Sequence, residues 1–145
     1  MIQHLKNTSK FGRNQFGTNW SNAFAGCTNL QISATDFATA KTQNITNFDS
    51  TWNGCNNLRY FPAININGAT YLDRTWSSSG LINFPLIDTS KITSFNRPWQ
   101  SCNSLVTFPQ INTLSANVLQ NTWENCQNLV SFPAISTNNV TNFGW

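Results

Sequence analysis

TWENCQNLVSFPAI, Thr122 to Ile135, closely repeats TWNGCNNLRYFPAI, Thr51 to Ile64. PWQSCNSLVTFPQI, Pro98 to Ile111, is a third copy, and TWSSSGLINFPLI, Thr75 to Ile87, is a fourth that is one residue short. AFAGCTNLQIS, Ala23 to Ser33, is a degraded copy with Phe in the Trp place. The anchors Phe24, Trp52, Trp76, Trp99 and Trp123 are separated by 28, 24, 23 and 24 residues. A fixed period of this length marks a stacked repeat array. The short step falls in WSSSGL, which has lost one residue between Trp76 and Leu81; that reading puts Ser78 in the Cys slot.

One repeat explains the others. The fourth copy in chain order runs Phe95, Trp99, Cys102, Leu105, Phe108, Ile111; the fifth runs Leu119, Trp123, Cys126, Leu129, Phe132, Ile135. Between these positions the residues are mostly Asn, Ser, Thr, Gln or Gly. Spacings of 3 and 4 through FxxxWxxCxxL keep one face inward. LxxFPxI reads as a short extended piece carrying an aromatic and a β-branched residue. Proline has no N–H to give a sheet, so each strand should end or bulge at Pro62, Pro85, Pro109 or Pro133. The expected fold is a β-rich repeat solenoid of about five coils of 23–24 residues, with short parallel strands. Like residues should stack on like, because no single layer can bury both of its own faces. Each buried large side chain is worth roughly 1.5–3 kcal/mol.

TWxxCxxLxxFPxI preceded by NxTxF resembles the BspA-like, bacterial-surface subclass of leucine-rich repeats, over about Trp20 to Phe143. Two features depart from that pattern: Trp stands for its usual Phe, and Phe-Pro for its aliphatic strand. The resemblance implies a leucine-rich-repeat-like solenoid and a non-enzymatic surface or adhesion protein. Trp-rich versions are similar to repeats in phage structural proteins. The implied setting is therefore a virion component (capsid, tail or fibre) or the extracellular cell surface.

Composition narrows the function classes. Charged residues make up 9% of the 145-residue chain, and the net charge is +3. Lys6, Lys10 and Arg13 precede every acidic residue, and the repeat body is neutral. A nucleic-acid binder needs a larger basic field. No apolar run approaches the roughly 20 residues of a membrane span. The opening residues lack the apolar middle of a common secretion signal. Residues 1–19 read as an N-terminal capping or docking segment, with Phe11 and Phe16 available to cover the first layer, and 20–145 as the repeat body.

Cys27, Cys55, Cys102 and Cys126 admit three readings. Zinc wants close Cys pairs, whereas these steps are 28, 47 and 24, and the only histidine is His4. Disulfides between neighbouring layers would join parallel-pointing side chains, which suits the bridge poorly. A buried, reduced thiol ladder is the expected arrangement, since free Cys packs as a small hydrophobe. Asp36, Asp49, Asp73, Asp88 and Glu124 occur singly, so no acid/base pair is expected to converge. No enzyme activity, cofactor or metal is expected.

Two surfaces remain as candidates. Tyr60, Asn83, Thr107 and Ser131, with Pro62, Pro85, Pro109 and Pro133, should line one broad strand face. It is either a solvated sheet or a face for an extended partner, such as glycan held through hydroxyl hydrogen bonds and one aromatic platform. The second surface is the last coil, where Phe132, Ile135, Phe143 and Trp145 precede no polar cap. Terminal repeats normally need a polar outer face. This end is therefore expected to dock on another protein chain, either a second copy or a larger assembly. The leading expectation is a structural or interaction module. The alternative is a carbohydrate- or host-binding adhesin domain of a bacterial surface protein.

Overall fold

The structure is a computed structural model that describes residues 17–33, 36–37 and 41–144. The N-terminal segment, including Phe11 and Phe16, lies outside the described residues apart from 17–19. Around each anchor the backbone runs through overlapping turns. In the second repeat Thr51 N–H donates to Phe48, Asn53 to Ser50 and Cys55 to Trp52. The residues between them donate elsewhere: Ser50 N–H bonds Asp73, Trp52 bonds Thr75 and Gly54 bonds Ser77, all in the next repeat. Alternate N–H groups thus close a turn or reach the next layer.

That alternation requires left-handed residues at fixed places. Positive φ recurs two residues before and two after every anchor: Asn22 and Gly26, Ser50 and Gly54, Arg74 and Ser78, Arg97 and Ser101, Asn121 and Asn125. The conformation costs a residue other than glycine about 1–2 kcal/mol. Here it aims three or four backbone donors per layer at the next one.

The expected β-rich solenoid with short parallel strands is overturned. Among the described residues there is no strand and no sheet; six isolated parallel bridges join neighbouring layers. The recurrent left-handed residues break any extended run on the tryptophan side. On the proline side an equivalent hydrogen bond joins each of the last three pairs of layers, from Ile82 N–H to Arg59, Val106 to Ile82 and Val130 to Val106. The proline two or three residues further on has no N–H with which to extend that pairing. Among the described residues the one helical element is a single 3-10 turn, Thr42–Asn44.

The core is two columns of rings. Phe24, Trp52, Trp76, Trp99 and Trp123 lie nearly parallel, with centroids 6.1, 5.6, 5.8 and 5.8 Å apart. Phe61, Phe84, Phe108 and Phe132 form a second column, spaced 6.3, 5.7 and 6.1 Å. The columns meet edge to face, closest at 4.6 Å between Trp99 and Phe108, a geometry the ring quadrupoles favour. The indole N–H groups of Trp52, Trp76 and Trp99 are buried without a hydrogen-bond acceptor. Phe24 fills the same slot with no N–H at all, so ring area rather than a hydrogen bond is what this position requires.

Local departures are absorbed by named groups. Pro98 removes the N–H that would close a turn onto Phe95, and that carbonyl keeps the interlayer bond from the Thr122 hydroxyl at 2.7 Å, the counterpart of Thr51 to Trp20. In the short repeat the Cys slot is filled by Ser79, not Ser78. Ser79 Oγ lies 3.3 Å from Cys102 Sγ, while Ser78 takes the left-handed place. The missing residue therefore falls after the slot, beside Gly80. A Cβ on Gly80 would sit 2.0 Å from the Asn56 carbonyl oxygen, so the shortened turn closes only over glycine.

Trp99→Ala removes a fully buried ring from the first column and its edge contacts with the second and should cost about 3–5 kcal/mol, read from denaturant unfolding. Gly80→Ala should destabilise more than Gly54→Ala. At Gly54 a Cβ meets nothing closer than 3.7 Å, leaving only the positive-φ strain of about 1–2 kcal/mol. Equal melting of the two glycine variants would contradict the close approach at Gly80.

Candidate functional site

The proposed strand face exists as a row, though not as a sheet. Tyr60, Asn83, Thr107 and Ser131 are exposed, and Pro62, Pro85, Pro109 and Pro133 are half-buried. Bridges Asn83 to Thr107 and Thr107 to Ser131 hold the last three in line. The row is uneven, because Tyr60 is its single aromatic. A hollow of about 200 Å³ beside it is lined by Gln31, Ile32, Asn57, Arg59 and Tyr60. Arg59 is laid along the stack, donating to Ser104 Oγ at 3.1 Å. Val130, one residue before Ser131, is 78% exposed, and sequence reasoning passed over it. Its place in the repeat is held elsewhere by Arg59, Ile82 and Val106, so no consistent residue type marked it.

The carboxylates are each engaged locally. Asp49 lies 3.9 Å from Arg74, Asp73 accepts from the Ser94 hydroxyl and Asp36 accepts from Ser33 N–H. Ser90 N–H holds the Asp88 carboxyl below its usual range, and hydrogen bonds from Asn121 and Gln100 do the same for Glu124. Among the described residues no three His, Cys, Asp or Glu side chains gather as a metal site would need. Among the described residues no helix is long and apolar enough to cross a membrane.

The thiols are unbridged. Cys27, Cys55 and Cys102 are buried and Cys126 is half-buried. The Sγ of Cys55, Cys102 and Cys126 each donates to a carbonyl of the preceding layer, at Phe24, Trp76 and Trp99. Burial pushes Cys55 up to about 12 and Cys102 up to about 11. Cys126 is also pushed up to about 12, by its burial first.

The last layer departs from this regularity. Its core positions are uncovered: Trp123, Cys126, Leu129 and Ile135 are half-buried, and Phe132 and Phe143 are 45% and 56% exposed. Their equivalents in the layer before, Trp99, Cys102, Leu105, Ile111, Phe108 and Leu119, are buried. The interlayer hydrogen bonds run as far as Asn121 N–H to Gly144. Trp123 and Asn125 N–H, whose equivalents in every earlier layer donate onward, have no acceptor among the described residues. The sequence points to Phe132, Ile135 and Phe143 as an end face, and all three do stand on it; Trp145 lies outside the described residues. The opposite end differs, since Trp20, Phe24 and Leu30 are buried.

No protein-family model, curated protein or solved structure matches the chain.

The thiols set a pH dependence. Folding raises their pKa, so the unfolded chain loses these protons first. The stabilising effect is whole below about pH 8.5, the ordinary thiol value, and is lost as pH climbs toward the folded values of about 11 and 12. Denaturant unfolding at pH 8 and at pH 10.5 should show lower stability at the higher pH. The slope should be up to about 1.4 kcal/mol per pH unit for each thiol still protonated in the fold. A Cys55→Ala, Cys102→Ala double variant should flatten that slope.

Proposed function

We propose that this chain is a non-enzymatic interaction module that joins other protein chains through its last layer. The observation that supports this is the uncovered end: a ring column, two exposed phenylalanines and two unfilled backbone donors on one face. Contiguous apolar patches mark interaction sites. Unpaired backbone groups at an edge are a template for another chain. A virion or a bacterial surface, the settings implied by the repeat resemblance, is where such end-on docking would operate.

A second reading rests on Tyr60. It is 62% exposed beside a hollow that also presents Asn57, Arg59 and Gln31, a combination able to stack on a sugar ring and bond its hydroxyls. A photoreactive phenylalanine analogue in place of Phe143, and separately of Tyr60, separates the two readings. Protein adducts in the native source are expected from position 143 and not from position 60. No protein adduct at 143, with glycan adducts at 60, would replace the docking role by the adhesin one.

A further inference from the structure

We infer that the hollow between the first two layers binds an acidic sugar, a uronic acid, with Tyr60 under the ring and the Arg59 guanidinium on the carboxylate. This inference rests on the sugar-binding reading of Tyr60 and is independent of docking at the last layer.

The hollow comes from a break in the repeat. The step from Phe24 to Trp52 is 28 residues, against 23 or 24 later. The first copy has Ser33 where later copies have Phe61, Phe84, Phe108 and Phe132, and alanine rather than proline follows it. The hydrogen bonding changes at the same place. Ile82, Val106 and Val130 N–H each donate to the layer before, but Arg59 N–H, in the same register, has no acceptor among the described residues. On this side the first two layers stay joined as far as Asn57 N–H, which donates to Thr28 at 3.1 Å, and then part. The hollow of about 200 Å³ opens there, between Gln31 and Ile32 of one layer and Arg59 and Tyr60 of the next.

Arg59 supplies a fixed charge at its edge. Asn57, Gly80, Ser104 and Asn128 hold one place in successive repeats, and Gly80 leaves a notch in that row. The Arg59 side chain lies along the notch, with Nη1 3.5 Å from the Gly80 carbonyl oxygen and 3.1 Å from Ser104 Oγ. Its Nε and Nη2 groups make no hydrogen bond among the described residues. The ion pair found among those residues is Arg74 with Asp49, so Arg59 has no carboxylate partner there. Asp36, the acid closest in sequence to Gln31, is buried and accepts from Ser33 N–H.

The ligand class follows from these groups. A planar guanidinium with donors to spare matches a carboxylate in two-pronged geometry. Tyr60, 62% exposed, offers a ring face to the C–H face of a pyranose. The Asn57 and Gln31 amides both donate and accept, as sugar hydroxyls require. An acidic peptide would bring repeated charges to a hollow that holds one cation. A neutral sugar would leave the guanidinium unused. One carboxylate among several hydroxyls employs every group present.

Calorimetry of the full chain with a galacturonate trimer and a mannuronate trimer, each also as its neutral methyl ester, tests the assignment. At least one acid should bind, and more tightly than its ester. Arg59→Gln should weaken the acid about tenfold or more and leave the ester unchanged. Tyr60→Ala should lose both, and Leu86→Ser, an exposed apolar site elsewhere, should change neither. If a variant fails to fold, the acid and ester compared on the parent chain decide alone. Equal binding of acid and ester, or no effect of Arg59→Gln, would keep the sugar reading of Tyr60 and remove the acidic sugar. Binding of neither form would remove both. Binding of triglutamate, weakened by Arg59→Gln, with no binding of the uronates, would replace the sugar by an acidic peptide.

Discussion

Everything in this molecule depends on how the backbone N–H groups are shared between turn and neighbour. Around each anchor one N–H closes a turn three residues back and the next reaches the following layer. Buried backbone donors must find partners. This arrangement finds them without a helix or a strand, and it sets the layer spacing that the rings then fill. Ring columns and hydrogen bonds repeat with the same period, so each layer is positioned twice, once by its backbone and once by its core. Pro98 therefore removes one turn bond without breaking the stack, since the interlayer bonds on either side of it, Arg97 N–H to Gln120 and Trp99 N–H to Thr122, remain.

The composition follows from the same geometry. A chain that turns every few residues and visits the left-handed region twice per layer favours Asn, Gly and Ser, whose side chains tolerate or support such backbone. Few charges are needed, because small polar side chains cap the layer edges. Thr89 and Thr113 hydroxyls donate to Asn112 and Ser136 one layer on. Arg74 and Arg97 also adopt positive φ; nothing in the local sequence explains why a long side chain stands there.

The register and the core were legible because the repeats align by eye: every Trp, Leu and Ile assigned to the interior from Trp20 to Ile111 is buried. The backbone was not legible. Phe-Pro-x-Ile has the composition of an extended segment, and periodicity cannot tell a strand from a succession of turns that returns a side chain to the same face. Asn22, Gly26 and Gly54 hint at left-handed positions, but Ser50, Ser78 and Ser101 in equivalent places do not. The slip from Ser79 to Ser78 has a similar origin. Spacing counted forward from Trp76 gives Ser79, whereas aligning a gap by composition among three serines does not fix its place; only the close approach at Gly80 does. Phe132, Ile135 and Phe143 were legible because they continue the core rows of the earlier layers.

A periodic stack has a physical consequence that a sheet-sandwich or a bundle lacks. Each interior layer is stabilised from two sides and a terminal layer from one, so stability is a sum over neighbours. The last layer keeps the sequence of an interior one: Trp, Cys, Leu, Phe and Ile in their places, with no polar substitutions on the outer side. Its hydrogen bonds to Phe95, Arg97, Trp99 and Ser101 hold it to the layer before, while its own rings give up half their contact. Such a layer is the weakest of the stack when bare and as strong as the others when covered. Covering it therefore links association to the order of the layer itself, and the gain on binding includes contacts within one chain as well as those between two.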